Sequence, residues 1–169
     1  MRKILENSKY DTIRLSEEIE SIRLYLDLEE LRFTNHFSYH IQLEKKINSS
    51  SILIPPMLVQ PYLENAIWHG LMPKKSVGKL TIDISLDDHE TLLVQVKDDG
   101  IGRLKAAEIT SKRISHQSTG MKNIEERLEL MNSLNQTNMR VEVNDLYLDN
   151  GKAAGTEVKL YIHFESIKT

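Results

Sequence analysis

The run Leu92-Leu93-Val94-Gln95-Val96 has the apolar character of a strand, and it is stopped by Asp98-Asp99-Gly100-Ile101-Gly102. A strand cannot continue through that punctuation, so the backbone must turn sharply. Glycines let the backbone approach a flat or anionic ligand closely, because no Cβ stands in the way. A buried carboxylate beside them can accept a hydrogen bond from an amino group such as that of adenine. Asp/Gly dipeptides also make ordinary turns between strands. The stretch alone leaves both readings open.

What surrounds this turn narrows the class. With 169 residues the chain suits one domain plus an appended element, and 40% hydrophobic residues suffice for a core without staples. There is no cysteine, which rules out disulfides and thiolate metal sites. A formal net charge of −3 gives no electrostatic case for nucleic acid. No apolar run approaches the roughly 20 residues that span a bilayer. The stretch Met1-Arg2-Lys3-Ile4-Leu5-Glu6 lacks a signal-peptide core. No membrane contact is expected of this fragment.

In chain order, residues 1–14 are weakly patterned. Ser16 offers a helix N-cap, with Glu17, Glu18 and Glu20 near the positive end of the helix. That helix has two apolar stripes, Leu15/Ile19/Ile22/Leu26 and Leu24/Leu28/Leu31, which suit two packing partners or burial in one core. Residues 37–44 alternate as a half-buried strand. His36 and His40 have no third ligand nearby, which disfavours a metal site. Ile52-Leu53-Ile54 is a short apolar run stopped by Pro55 and Pro56. A helix is expected from Met57 to Leu71, with Pro61 at its start or at a kink. Asn65 on it is either a satisfied core amide or an oxygen ligand for a hard cation such as Mg²⁺. Strands follow at about 79–86 and 92–97. Residues 103–117, helical at first and then polar without a period, suit a mobile loop over a site. Ser118-Thr119-Gly120 leads into a helix over Met121–Leu134, with Ile124, Leu128 and Met131 inward. Its start is an ordinary helix N-terminus or an anion site. Strands close the chain at about 138–148 and 156–164, the second opening at Gly155-Thr156. The order predicts an α+β fold: a two-layer sandwich whose mixed, mostly antiparallel sheet carries helices on one face.

These signals stand in a particular order. Asn65 on a helix, the Asp98–Gly102 turn, the Gly120 helix start and Gly155-Thr156 resemble the Bergerat-type ATP-binding fold of the gyrase, heat-shock ATPase, histidine kinase and mismatch-repair superfamily. More narrowly, the stretch from Ile54-Pro55-Pro56-Met57 to Glu64-Asn65-Ala66-Ile67-Trp68-His69-Gly70 resembles the N-box of LytS/YehU-type sensor histidine kinases. Tyr25-Leu26 and Glu29-Glu30-Leu31-Arg32-Phe33 are similar to the last helix of that family's dimerisation and phosphoacceptor region. Gly120-Met121-Lys122-Asn123-Ile124-Glu125-Glu126-Arg127-Leu128 resembles its second glycine box.

The resemblance implies two parts: residues 1–34, the remnant of the dimerisation region, and residues 35–169, the ATP-binding catalytic domain. It implies that Asp98 accepts the adenine amino hydrogen bond and that Gly100 and Gly102 admit the nucleotide. Asn65 would ligate Mg²⁺, and the N–H groups around Thr119, Gly120 and Met121 would hold phosphate oxygens. Lys122 would add charge there or serve as an exposed helix lysine. Thr156 would sit near the adenine end, and residues 103–119 would form a lid. Glu64 could act as a base or make a surface contact. The expected reaction transfers the ATP γ-phosphoryl group to a histidine for relay to a response-regulator receiver domain. The full-length protein would be a homodimer at the inner membrane, with this fragment cytoplasmic. None of His36, His40, His69, His89, His116 and His163 stands in the family's Asn-Pro-His-Phe-like context, so the acceptor is expected to lie outside this chain. Ser118 replaces the first glycine of the second box, and Trp68 stands where many relatives have a basic residue. The alternatives are a non-catalytic nucleotide-binding or dimer-signalling module, or a protein-serine kinase or ATPase on the same fold.

Overall fold

A computed structural model describes residues 12–34, 36–111 and 119–167, with the backbone alone at 110–111 and 119–123. In chain order the elements are β1 (Ile13–Arg14), α1 (Leu15–Arg32), β2 (Phe37–Leu43), β3 (Ile52–Ile54) and α2 (Gln60–Asn65). A π-helical segment (Ala66–Leu71) continues α2. Then come β4 (Gly78–Leu86), β5 (Thr91–Asp98), α3 (Arg103–Ser111), α4 (Thr119–Asn135), β6 (Arg140–Tyr147), β7 (Ala153–His163) and β8 (Glu165–Ser166).

The period-two stretches form a five-stranded sheet in the order β2-β4-β5-β7-β6. Only the β2–β4 pair is parallel; the other three are antiparallel. Alternation puts Leu80, Ile82, Ile84, Leu92, Val94, Val96, Leu160 and Ile162 on one buried face. Those side chains share a single apolar cluster with Leu26 of α1, Leu63 and Ile67 of the α2 region, and Leu128 and Met131 of α4. The opposite face carries Lys79, Lys97 and other more exposed residues. The expected two-layer α+β sandwich is therefore found.

Short-range details differ from the expectation. Arg14, not Ser16, caps α1: its N–H donates to Glu17 Oε2 at 2.9 Å, while the Ser16 N–H donates to the Ser49 carbonyl at 3.1 Å. The reason is tertiary. β1 pairs with β3 through Arg14, so the chain stays extended to that residue and turns helical at the buried Leu15. β3 itself belongs to a small sheet, β1-β3-β8, whose two- and three-residue strands are too short to show a period. The N-box helix starts at Gln60 instead of Met57, which has a left-handed φ of 58°. Pro61 then lies in its first turn, where a missing N–H is tolerated. The Met72 N–H reaches back five residues to the Ile67 carbonyl, at 2.8 Å, and so widens the last turn. β7 begins at Ala153, two residues ahead of Gly155.

The two stripes of α1 have different fates. Leu15, Ile22 and Leu26 are buried in the common core, whereas Leu24, Leu28 and Leu31 are 59%, 66% and 75% exposed. Truncating Leu26 to alanine should lower stability by about 2–5 kcal/mol in a denaturant titration. Leu28→Ala should change it by less than about 0.5 kcal/mol. Equal effects would mean that the second stripe is also covered in solution.

Candidate functional site

Asp98 ends β5, the middle strand of the sheet, with its side chain only 4% exposed. Its Oδ1 accepts the Gly100 N–H at 2.8 Å, closing a tight turn on the carboxylate. Burial pushes its pKa up to about 6, while N–H donors at Gly100 and Thr156 pull the other way, as does Lys74. Asp99 adds to the rise by its negative charge. The carboxylate is thus ionised at neutral pH yet poorly solvated, and an N–H donor from a ligand would relieve it.

Glycines crowd this group from three elements. A Cβ at Gly70, in the π-helical segment, would lie 2.9 Å from Asp98 Oδ1. One at Gly100 would lie 2.4 Å from the Gly70 carbonyl carbon and 2.6 Å from Asp98 Oδ1. The Ile101 N–H donates to the Gly70 carbonyl at 3.0 Å, so the N-box end and the turn are joined by backbone alone. On the third side Gly155 of β7 has φ 119°, and its Cβ would fall 1.9 Å from the Asp98 carbonyl oxygen. Its neighbour Thr156 is the register partner of Asp98. Gly102, at φ 79°, opens α3 beside Ala153.

Asp98, Gly100, Gly102 and Thr156 are thereby brought together, and Gly70 and Gly155 join them. Neither was expected as a site residue. The signal for Gly70 was its place at the end of the N-box, and for Gly155 its adjacency to Thr156. Asp99 faces away: Oδ1 accepts the Lys79 N–H at 2.7 Å, and Oδ2 meets Lys74 Nζ at 2.8 Å. Those contacts brace the turn against β4.

Asn65 closes α2 five residues before Gly70, half-buried and without a side-chain hydrogen bond among the described residues. Its oxygen is therefore available to a ligand, and a core amide would be satisfied. Glu64 is exposed and accepts from Gln60 Nε2 at 3.0 Å. Trp68 packs edge-on against Phe33, ring centroids 4.9 Å apart, with the Arg32 guanidinium 5.0 Å from its own centroid. It is thus occupied by the end of α1. His69 is exposed, and His36 is held by the Lys74 carbonyl at 2.9 Å.

Thr119, Gly120, Met121 and Lys122 form the first turn of α4, two residues earlier than expected. Their side chains lie outside the described residues, as do residues 112–118, Ser118 and His116 among them. The described start of the stretch 103–119, expected as a lid, is anchored. Arg103 donates from Nε and an Nη to the two Asp145 oxygens at 2.7 and 2.8 Å, a bidentate pair tying α3 to β6. The pairing holds Asp145 below the usual carboxylate range.

No family model matches the chain. Among curated proteins, the chain is 33% identical over 98 residues to the sensor histidine kinase/phosphatase LytS of Staphylococcus aureus, covering 58% of this chain and 16% of that protein. It is 31% identical over 101 residues to the sensor protein LytS of Staphylococcus epidermidis, covering 60% and 17%. The match therefore spans about a sixth of the length of those relatives. Among solved structures, a mycobacterial sensor histidine kinase, MprB, superposes with a TM-score of 0.60 at 9% identity, over 93% of this chain and 99% of that one. The catalytic domain of the histidine kinase ThkA gives 0.58 at 12%, over 92% and 97%. The histidine kinase domain of a blue-light activated kinase from Erythrobacter litoralis gives 0.57 at 20%, over 89% and 61%. A stretch of the chain is thus similar in sequence to the LytS sensor histidine kinases, and the chain carries the Bergerat-type fold seen in histidine kinase catalytic domains.

Proposed function

We propose that the chain is the ATP-binding catalytic part of a two-component sensor histidine kinase, delivering the γ-phosphoryl group to a histidine that lies outside it. The observation that carries this reading is Asp98: a nearly buried, ionised acceptor at the end of a central strand, walled by glycines whose Cβ positions are already filled. The Gly100 N–H satisfies only part of the acceptor capacity of this buried carboxylate, and a ligand N–H donor would satisfy more of it. Asp98 would take the adenine amino hydrogen and so prefer adenine to guanine. Gly100 and Gly102 would let the nucleotide lie against backbone, with Thr156 beside the adenine.

The oxygen of Asn65, without a partner among the described residues, fits a magnesium ion, which when bound would neutralise charge between the phosphates. N–H groups in the first turn of α4, at Thr119, Gly120 and Met121, would orient phosphate oxygens, aided by the helix dipole and by Lys122. The stretch 103–119 would close over the site and exclude water. Positioning supplies most of the catalysis in such transfers. Glu64 would serve as the base toward the acceptor.

In the whole protein, residues 1–34 would continue the dimerisation region, with the exposed Leu24/Leu28/Leu31 stripe meeting a partner helix in a homodimer. Phosphate would pass to a response-regulator receiver domain. No helix among the described residues is long and apolar enough to cross a membrane. A membrane anchor would lie elsewhere in the protein, leaving this part in the cytoplasm.

The test is labelling of a longer chain, containing the upstream histidine, with γ-labelled ATP and Mg²⁺. An acid-labile, alkali-stable phosphoprotein is expected. An acid-stable product would point to a serine kinase, free phosphate to an ATPase, and no labelling despite nucleotide binding to a signalling module.

A further inference from the structure

The peptide unit joining Pro56 to Met57 has both of its polar atoms held by side chains from distant elements. Its N–H donates to the two oxygens of Glu18 at 3.1 and 3.2 Å. Its carbonyl accepts from Arg127 Nη1 at 2.9 Å. Glu18 is in the first turn of α1, and Arg127 is in the middle of α4. One peptide thus ties the first helix to the helix whose opening turn belongs to the candidate phosphate site. The same peptide lies just ahead of α2, the element that carries Asn65.

Three features separate this from an incidental contact. Glu18 is a carboxylate only 3% exposed, and such a group is costly to bury without partners. Burial raises its pKa, against which the Met57 N–H and the charge of Arg127 both act. Met57 holds a φ of 58°, a left-handed conformation that L residues adopt only when their surroundings impose it. Beside the peptide there is also a cavity of about 260 Å³, lined by Ile13, Ser21, Ile22, Tyr25, Gln60 and Leu63 among others. Apolar packing between α1 and α2 is therefore incomplete, and directed hydrogen bonds set their spacing.

We propose that Glu18 and Arg127 are positioning residues that hold the Pro56–Met57 peptide between them, so that the N-box and α4 take their place from α1. The link itself stands on the geometry; its effect on nucleotide binding rests on the function proposed above. A displacement of α1 is then passed to Asn65 through this peptide, beside the Arg32 and Phe33 contacts to Trp68 at the other end of α1.

Amide hydrogen exchange on the nucleotide-free chain, with calorimetric titration of Mg·ATP, tests this. Leu26→Ala serves as the control for lost stability alone. Glu18→Ala should speed exchange across residues 57–71 by about tenfold more than in β4 and β5, and weaken Mg·ATP binding about tenfold. Glu18→Gln keeps an acceptor for the Met57 N–H and should restore most of both. Arg127→Ala should act in the same direction as Glu18→Ala. Exchange that rises evenly over the sheet and the N-box, as in Leu26→Ala, would overturn the link. Unchanged affinity in Glu18→Ala beside a binding wild type would overturn its bearing on the site and leave the nucleotide reading intact. A wild type that binds no nucleotide but shows the localised exchange pattern would sustain the link and sink the nucleotide reading.

Discussion

Asp98→Asn is expected to weaken Mg·ATP binding about 100-fold while raising the stability of the empty protein at neutral pH. The first effect follows from replacing a charged acceptor by a neutral amide whose NH₂ can face the adenine amino group. A hydrogen bond to a charged group contributes roughly 1.5–3 kcal/mol, and facing donors add repulsion. The second follows from burial. The folded-state pKa of about 6 lies above the ordinary aspartate range. The folded protein therefore holds a proton that the unfolded chain has already released between about pH 4 and 6. Stability attributable to this group is complete below pH 4 and falls as the pH rises through 6. The shift corresponds to a loss of up to about 3 kcal/mol by pH 7. The asparagine variant escapes that loss, so its melting temperature should exceed that of wild type by several degrees at pH 7 and converge with it near pH 4. Titration calorimetry and melting curves across pH check both halves. Unchanged affinity would remove Asp98 from the nucleotide site, and a flat difference in melting temperature across pH would remove the burial argument.

Gly155→Ala should be the most damaging single-methyl change to the fold among the glycines with described surroundings. Its Cβ would stand 1.9 Å from the Asp98 carbonyl oxygen and 2.7 Å from the carbonyl carbon, both backbone atoms that cannot swing away. Its φ of 119° is also strained for any residue with a Cβ. Relief requires β7 to part from β5 next to Thr156, and the loss should be about 3–5 kcal/mol. Gly151→Ala is the matched control: φ 77°, but nothing within 4 Å of the added methyl. It should lose only about 1 kcal/mol, from strain alone. Urea denaturation of the two variants separates collision from conformation. Similar losses would show that β7 yields easily at Gly155.

The main sheet was readable because its strands bury one face, and burying one face writes a period of two into the residues. The same holds for Ile124, Leu128 and Met131, whose spacing of four and three placed α4 correctly. Strands β1, β3 and β8 were not readable, since two or three residues carry no period and gain their partners only when the chain ends meet. Ser16 was the best capping residue by its chemistry, but the pairing of Arg14 with Leu53 moved the helix start two residues earlier, to Leu15. Gly70 and Gly155 stood beside the motifs, and only the structure showed that they close on Asp98.

By itself the sequence determined the layer architecture and the order of the motifs, and it singled out Asp98 ahead of Asp99 as the acceptor to expect, two residues before the first glycine. Periodicity and local turn chemistry act within a few residues of one another, so they are legible in one dimension. Only the tertiary structure decided that the Asp98 carboxylate is buried while Asp99 braces β4, because desolvation depends on what packs over a group. It likewise decided that one stripe of α1 faces the core and the other faces solvent. It also brought Glu18 and Arg127 onto a single peptide. The strand that ends in Asp98-Asp99-Gly100-Ile101-Gly102 specifies a turn, and its neighbours in space bury the Asp98 carboxylate inside it.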